Sequence, residues 1–392
     1  MVTIGLEVFA KNPRRYSPEG KRAGLLLSAA SVDRNFTLAR DVAHAALGED
    51  LVCLFGPQHG IFSDVQDNMV ESGHGSDPRL RLPVWSLYGE TRKPAPEMLE
   101  GLDTLIVDIQ DVGTRVYTFI WTLKLAMEAC GERGIRVVVL DRPNPIGAEE
   151  VEGNVLEPEH SSFVGLLGIP MRHGMTIGEV ALWFVRHGGV SCDLTVVRME
   201  GYGRKMHWEE TGRPWVITSP NLPTPDTALV YPGTVLLEGT NASEGRGTTR
   251  PFELVGGPWG GPEELAGELG TLGLPGVHFR PVVFLPTFQK WGGTNCKGVQ
   301  LHVTDKAAFK PYLTGLAILR TLWKLYRREG FAWKSPPYEY ETEKLPIHML
   351  LGSSRVREAL EAGEPLAQIE KGWQKELDEW KETRRECLLY QA

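Results

Sequence analysis

The sequence predicts an α/β protein organised on a doubly wound parallel sheet, and three observations predict it. Short apolar runs recur at Leu51–Phe55, Thr104–Asp108 and Arg136–Asp141, each of a length suited to a strand buried on both faces. Each run ends in polar residues: Gln58, His59, Ser63 and Asp64; Asp108, Gln110, Asp111 and Arg115; Asp141, Arg142 and Asn144. Between the second and third runs, Val116, Ile120, Leu123, Met127 and Cys130 recur at helical spacing. Strand and helix therefore alternate as in βαβ crossovers. Polar clusters past the carboxyl ends of such strands form the edge at which open α/β sheets place ligands.

Taken in order, Gly24–Ser28 reads as the first strand and Leu38–Leu47 as a helix, with Thr37 as N-cap and Gly48 past its end. Gly56-Pro57 ends the Leu51 strand, because proline has no N–H and glycine takes dihedrals that other residues avoid. Residues 62–83 form a long polar loop, which beside a sheet edge suits a lid or pocket wall. Val84–Tyr88 reads as a short strand, Pro94–Leu99 as a short helix, and Gly131 and Gly134 close the Val116–Cys130 helix. Thr176-Ile-Gly-Glu179 is a capping box opening a helix that ends near Gly188 and Gly189, with Leu194–Met199 a further strand. Ser219–Glu253 is dense in Asn, Thr, Ser, Glu and Arg and lacks apolar periodicity. The Gly/Pro-rich stretch 256–262 marks a boundary between residues 1–258 and 259–392. Beyond it come strands at Val277–Phe284 and Val299–Thr304 and an amphipathic helix at Lys310–Arg328. Leu366, Ile369, Trp373, Leu377 and Trp380 mark a long terminal helix whose tryptophans pack in the core or between domains.

With 42% hydrophobic and 23% charged residues, the 392-residue chain can bury a large core. Its formal net charge of −8 argues against a nucleic-acid partner, whose phosphates call for a basic face. No apolar run approaches the roughly 18 residues of a membrane span. The N-terminus lacks the basic-then-apolar layout of a secretory signal, and five scattered cysteines fit free thiols in a reducing compartment, so a cytoplasmic location is expected. Cys53 and Cys130 fall within apolar patterns and read as core.

No GxGxxG follows the first strand, no HxxxH or HExxH pair is present, and there is no GxSxG elbow. A dinucleotide site, a zinc site and a serine nucleophile are thereby disfavoured, and no metal or cofactor is expected. What remains is rich in carboxylates, amides and arginines, with Tyr88, Tyr117, Trp121 and Tyr231 nearby. That composition suits a sugar bearing an acidic substituent: amides and carboxylates bind hydroxyls, aromatic faces cover the ring, and arginine takes a carboxylate bidentately. Glycoside hydrolysis uses two carboxyl groups roughly 5–10 Å apart. Asp64, Glu71, Glu90, Asp108, Asp111, Glu238 and Glu244 are candidates, and spacing along the chain does not choose among them. Backbone amides of Glu244–Arg250 could form an anion-binding nest.

Several long motifs, LFGPQHG, LPVWSLYGETRKP, DIQDVGTRVYTF, LDRPNPIG, IPMRHGMTIGE and the run from Ser219 to Glu253 among them, resemble the exo-β-N-acetylmuramidase (NamZ) family over nearly the whole chain. The resemblance implies a Rossmann-like N-terminal domain, a smaller C-terminal α/β domain and an active site in the cleft between them. It also implies release of N-acetylmuramic acid from the non-reducing end of peptidoglycan fragments, the sugar's lactyl carboxylate being the acidic substituent. The family's first motif reads GPEHG, its Glu a candidate catalytic acid, whereas this chain has Gln58. An amide cannot deliver a proton, so Asp64, Asp67 and Glu71 come forward as substitutes.

On this reading His59 and Asp64 transfer protons, Asp108 and Asp111 position water or hydroxyls, and Glu244 is the second carboxylate. Arg246 and Arg250 bind the lactyl group, while Gln58, Arg115, Tyr117, Arg142, Asn144, Asn221, Asn241 and Thr249 complete the site. A 2-acetamido substrate could also assist its own cleavage. The partner expected is a small saccharide, with the oligomeric state left open. The rivals are a sugar-binding protein that has lost catalysis through Gln58, and a sugar-nucleotide transferase whose Glu244–Arg250 nest holds a diphosphate.

Overall fold

The computed structural model describes residues 1–66 and 70–391. Helix α1 (Gly5–Lys11) leads into β1 (Ala23–Leu27), α2 (Ala39–Leu47) and β2 (Leu51–Gly56). Then follow β3 (Gly75–Ser76), β4 (Pro83–Ser86), β5 (Thr104–Asp108), α3 (Phe119–Gly131) and β6 (Arg136–Leu140). A hairpin of β7 (Glu152–Val155) and β8 (Pro170–Arg172) precedes α4 (Ile177–Arg186) and β9 (Leu194–Val197). Seven of these strands form one sheet in the order β3-β4-β2-β1-β5-β6-β9, parallel except for β3 against β4.

The apolar runs build this sheet because they can be buried on both faces. Alternate side chains of a strand point to opposite sides. Leu25, Leu54, Ile106 and Val138 pack with Phe9 of α1 and Ala43 and Leu47 of α2. Their neighbours Leu26, Phe55, Leu105, Val107, Val137 and Val139 pack with Ile120, Leu123 and Met127 of α3 and Phe184 of α4. Each such aliphatic side chain contributes about 1.5–3 kcal/mol on burial. Helices thus cover both faces, the doubly wound arrangement. Strand order reverses at β1, which pairs with β2 on one side and β5 on the other.

The second half comprises α5 (Pro225–Thr234), β10 (Leu254–Gly257), α6 (Pro262–Gly270), β11 (Val277–Phe284), β12 (Cys296–Val303) and α7 (Pro311–Tyr326). Its three strands form an antiparallel sheet, β10-β12-β11. This sheet begins at Leu254, two residues before the Gly/Pro stretch 256–262. Gly256 and Gly298 pair across it so closely that a Cβ on Gly256 would lie 2.3 Å from the Lys297 carbonyl oxygen, so glycine here marks close packing. The chain ends in α8 (Pro346–Leu351), α9 (Ser354–Ala362), α10 (Leu366–Lys371) and α11 (Gln374–Arg385).

Some local expectations are corrected. The single terminal helix is two, α10 and α11, broken where Trp373 turns in against Tyr312, ring centroids 5.6 Å apart. Leu38, not Thr37, is the N-cap residue of α2, and it makes no side-chain cap. Helix α11 returns to the first half, with the Trp380 ring 4.9 Å from that of Trp183 and its indole N–H donating to the His173 carbonyl at 3.2 Å.

Candidate active site

At the carboxyl edge of the sheet, several of the polar residues singled out from sequence are held by partners within the protein. Arg142 grips Asp108 bidentately, Nε to Oδ1 at 2.6 Å and Nη2 to Oδ2 at 2.7 Å, both side chains buried. Asp111 Oδ2 accepts the Gly113 N–H at 2.7 Å and lies 3.1 Å from His173 Nε2. Asn144 donates to the Met175 carbonyl and accepts the Ile146 N–H. Arg115 is fully buried, its guanidinium donating to the carbonyls of Asn154, Ile169, Leu350 and Leu351 at 2.9–3.0 Å. It ties the β7–β8 hairpin to α8. Buried polar groups call for such partners, although Asp111 Oδ1 and Arg115 Nε have none among the described residues, and none of the five lines the cavity described next.

That cavity lies between the two halves of the chain and brings together Gln58, His59, Tyr117, Glu238, Arg246 and Glu339. Asn221, Tyr231 and Tyr338 complete its polar wall. Beyond β2, a tight turn closed by the Gly60 N–H on the Pro57 carbonyl presents Gln58 and His59. Gln58 Oε1 accepts the Thr118 hydroxyl at 2.6 Å, just before α3. His59 Nδ1 lies 2.7 Å from the Val65 carbonyl oxygen, a contact only a protonated Nδ1 makes, so Nε2 carries the lone pair of the neutral ring. Glu238 stands on the 3₁₀ turn Val235–Gly239 that follows α5. Arg246 sits between Gly245 and Gly247, at φ +79° and +81°, a backbone course that glycine permits.

The remaining wall is the turn Tyr338–Glu341, closed by reciprocal backbone hydrogen bonds of 2.9 Å. Its central residues, Glu339 and Tyr340, have φ of +46° and +65°. Two-residue turns of this kind ordinarily take Asn-Gly. Holding two bulky residues there costs of order 1–3 kcal/mol each, and the result is a carboxyl group aimed into the cavity.

The charges are divided unequally. Arg246 bridges Glu238 at 2.7 Å and Glu244 at 3.1 Å. Lys290 donates to Glu244 at 2.8 Å and to the carbonyls of Leu237 and Ala242. Burial alone would raise the Glu244 carboxyl, but the charges of Lys290 and Arg246 bring it down to about 2. Glu238 also accepts the Tyr338 hydroxyl at 2.6 Å. Glu339 is pushed up to about 7, first by burial and further by the charge of Glu238, against the lowering effect of hydrogen bonds from Tyr88 (2.7 Å) and the Gln58 amide. Burial pushes His59 down to about 4, helped by Arg246 and opposed by the Val65 carbonyl, so its ring is neutral near pH 7.

Of the residues singled out from sequence, Gln58, His59, Tyr117, Asn221, Tyr231, Glu238 and Arg246 line this cavity, and Glu244 stands behind Arg246. Asp64, Glu71, Thr249 and Arg250 are exposed, and Arg250 pairs with Glu253. Asn241 fastens the chain at Gly330 and Ala332. Asp67 lies outside the described residues. Arg246 meets a substrate carboxylate only at the expense of its bonds to Glu238 and Glu244. Sequence reasoning passed over Glu339, Tyr338 and Lys290. The available signal was Pro336-Pro-Tyr-Glu-Tyr340, a carboxylate between two tyrosines at a turn. A wider groove runs beside β7, α9 and α10, but its carboxylates Glu157, Glu364 and Glu376 are partly or fully exposed. Glu238 and Glu339, by contrast, keep only 4% and 5% of their surface accessible.

Comparison with known proteins bears on this geometry. Residues 23–226 match the model of the exo-beta-N-acetylmuramidase NamZ N-terminal domain and residues 229–390 that of its C-terminal domain. The chain is 46% identical over 372 residues to the peptidoglycan beta-N-acetylmuramidase NamZ of Bacillus subtilis (strain 168), covering 95% of this chain and 87% of that protein. It is similar throughout to two crystal structures of DUF1343 family proteins from Bacteroides fragilis NCTC 9343. Their TM-scores are 0.90 at 34% identity and 0.77 at 27% identity, with 100% of this chain and 99% of each of those chains covered.

Proposed function

Because the chain belongs to the exo-beta-N-acetylmuramidase NamZ family, we propose that it is a glycoside hydrolase that releases N-acetylmuramic acid from the non-reducing end of peptidoglycan fragments. The observation that carries this reading is one cavity walled by two buried carboxyl groups, Glu238 and Glu339. Glycoside hydrolysis calls for such a pair, one group able to give a proton and one ionised. Glu238, bound to Arg246, has a cation to hold its charge, and Glu339, raised toward 7, keeps a proton that an ordinary glutamate would have lost. Tyr117, Tyr231 and Phe252 supply ring faces, and Asn221 and Gln58 supply amides, the groups that hold a pyranose and its acetamido substituent. The carboxyl at position 339 also removes the reason for reading Gln58 as the mark of a protein that only binds sugar.

We assign the reaction to the turnover of muropeptides inside the cell. All five cysteines are free, and Cys53, Cys130, Cys296 and Cys387 are buried, which suits a reducing compartment. Recovery of the protein in the soluble intracellular fraction supports this location; recovery from the medium or the wall overturns it.

The activity is tested with purified N-acetylmuramyl-β-1,4-N-acetylglucosamine and with longer glycan strands whose non-reducing end is N-acetylmuramic acid. Mass spectrometry should find free N-acetylmuramic acid, one residue leaving each strand at a time. Cleavage within strands, or no product above a heat-inactivated control, overturns the reading.

A further inference from the structure

We propose that Glu339 is the general acid of this active site, giving its proton to the glycosidic oxygen, and that Gln58 is the positioning residue that holds it. This rests on the reading of the cavity as the place of glycoside hydrolysis. Gln58 stands where the chain's own motif, Gly-Pro-Gln-His-Gly, delivers a side chain from the end of β2 into the cavity. Its amide has no proton to give to a leaving group, but it has two faces in use. The carbonyl accepts the Thr118 hydroxyl at 2.6 Å, which fixes which way the amide points, and its NH₂ then donates to Glu339. Tyr88 donates to Glu339 Oε2 at 2.7 Å from the segment after β4. The carboxyl is thus held from β2, from the β4 side and by its own strained turn, three elements far apart in the chain.

The charged and titratable groups around it come from every neighbouring element. On its own turn are Tyr338 and Tyr340. Tyr88 and Arg92 face it from beyond β4, with the Arg92 guanidinium 3.9 Å over the Tyr340 ring. Glu238 and Tyr231 face it from α5 and the turn beyond. Arg246 is bonded to Glu238 and to Glu244. The Arg246 guanidinium is paired with Glu238, while burial and the neighbouring Glu238 charge favour the protonated form of Glu339. Glu238 is therefore the anion and Glu339 the acid.

In the step proposed, the Glu339 O–H proton passes to the glycosidic oxygen as the bond from that oxygen to C1 breaks. The bonding electron pair leaves with the aglycone alcohol, and Glu238 stabilises the positive charge that develops at C1. A water then adds its oxygen to C1 and loses a proton to the Glu339 carboxylate, which restores the acid. The sum is one glycoside and one water giving two hydroxyl compounds.

The test uses two substrates and the full-length protein. One is the N-acetylmuramyl disaccharide, whose leaving alcohol needs a proton; the other is 2,4-dinitrophenyl β-N-acetylmuramide, whose leaving group departs without one. Glu339→Gln should lower kcat/KM on the disaccharide by about 10²–10⁴, the range for general acid catalysis, while changing the dinitrophenyl substrate by less than about tenfold. In the wild-type protein, kcat/KM for the disaccharide should fall as pH rises through about 7, and this limb should be absent with the activated substrate. Gln58→Leu removes a donor to the ionised form of Glu339, so the same limb should move to higher pH with folding unchanged. Equal losses on both substrates in Glu339→Gln, an unchanged disaccharide rate, or a limb that ignores Gln58→Leu overturns the assignment. If the wild-type protein cleaves neither substrate, the glycosidase reading itself fails. Should Glu339→Gln not fold, the wild-type pH profiles on the two substrates decide alone.

Discussion

The carboxyl edge of the sheet and the cavity between the two halves contain the same kinds of residue and use them differently. At the sheet edge, Asp108 and Arg142 neutralise each other through two short hydrogen bonds, away from the cavity that Glu238 and Glu339 line. In the cavity, Arg246 answers Glu238 and Glu244, and a further carboxyl, Glu339, is buried beside them and raised toward 7 by that burial and by the Glu238 charge. A site with every charge matched holds a fold together. A site where burial leaves a carboxyl protonated stores a transferable proton.

The sharpest way to break this contrast is Asp108→Ala. It leaves the Arg142 guanidinium buried beside Val32 with its counter-ion gone, which should cost about 3–5 kcal/mol of stability. Urea or thermal unfolding measures it, and residual activity per folded molecule should stay near wild type. A catalytic defect in stable, folded Asp108→Ala would move the sheet edge back into the active site.

Glu238→Gln should do the reverse. Arg246 keeps Glu244, so folding changes little, but the developing charge at C1 loses its anion and kcat falls by about 10²–10³. Full activity in this variant would take Glu238 out of the reaction.

A smaller effect separates the two carboxylates that share Arg246. The Glu244 carboxyl is held near 2, below its ordinary 4.5, so the folded state binds its proton less readily than the unfolded chain. The stability it contributes is present above about 4.5 and is lost as pH falls from there toward 2. Glu339, raised to about 7, has the opposite sign: its contribution is present below 4.5 and is lost as pH rises through 7. Glu244→Gln should flatten the acid limb of a stability–pH curve, and Glu339→Gln should flatten the neutral one. Identical limbs in both variants would show that the pairings drawn here do not govern these protons.

The sheet was legible because apolar runs of strand length followed by turn residues leave few other folds. The hairpin β7–β8 was not, since Glu152-Gly-Asn-Val155 has no apolar alternation and is held from outside by Arg115 and by Glu152 accepting the Tyr312 and Leu313 N–H groups. The cavity was half legible. Gln58 and His59 follow a strand whose end could be read, whereas Glu339 arrives from 280 residues further on, in a turn that propensity would give to Asn-Gly. Nor does sequence show which of two acids meets a cation. Asp108 is a candidate from sequence because it ends a strand, and its partner, Arg142, lies just past the end of the adjacent one.

Asp64 gives the smallest expected effect and the clearest check on that last point. It follows the same motif as Gln58 and His59, and from sequence it is the nearest carboxylate able to replace a missing acid. In the fold the tight turn at Pro57–Gly60 sends Gln58 and His59 inward, while Asp64 faces solvent and is absent from the cavity wall. An exposed carboxylate clear of buried partners changes stability by no more than about 0.5 kcal/mol on substitution. Without contact to the reacting atoms, it has no route to the rate. Asp64→Asn should therefore leave kcat/KM on the disaccharide within about twofold of wild type. A hundredfold loss, by contrast, is the size expected of a group that transfers the proton, and would shift that role from the Tyr338–Glu341 turn to the loop after β2.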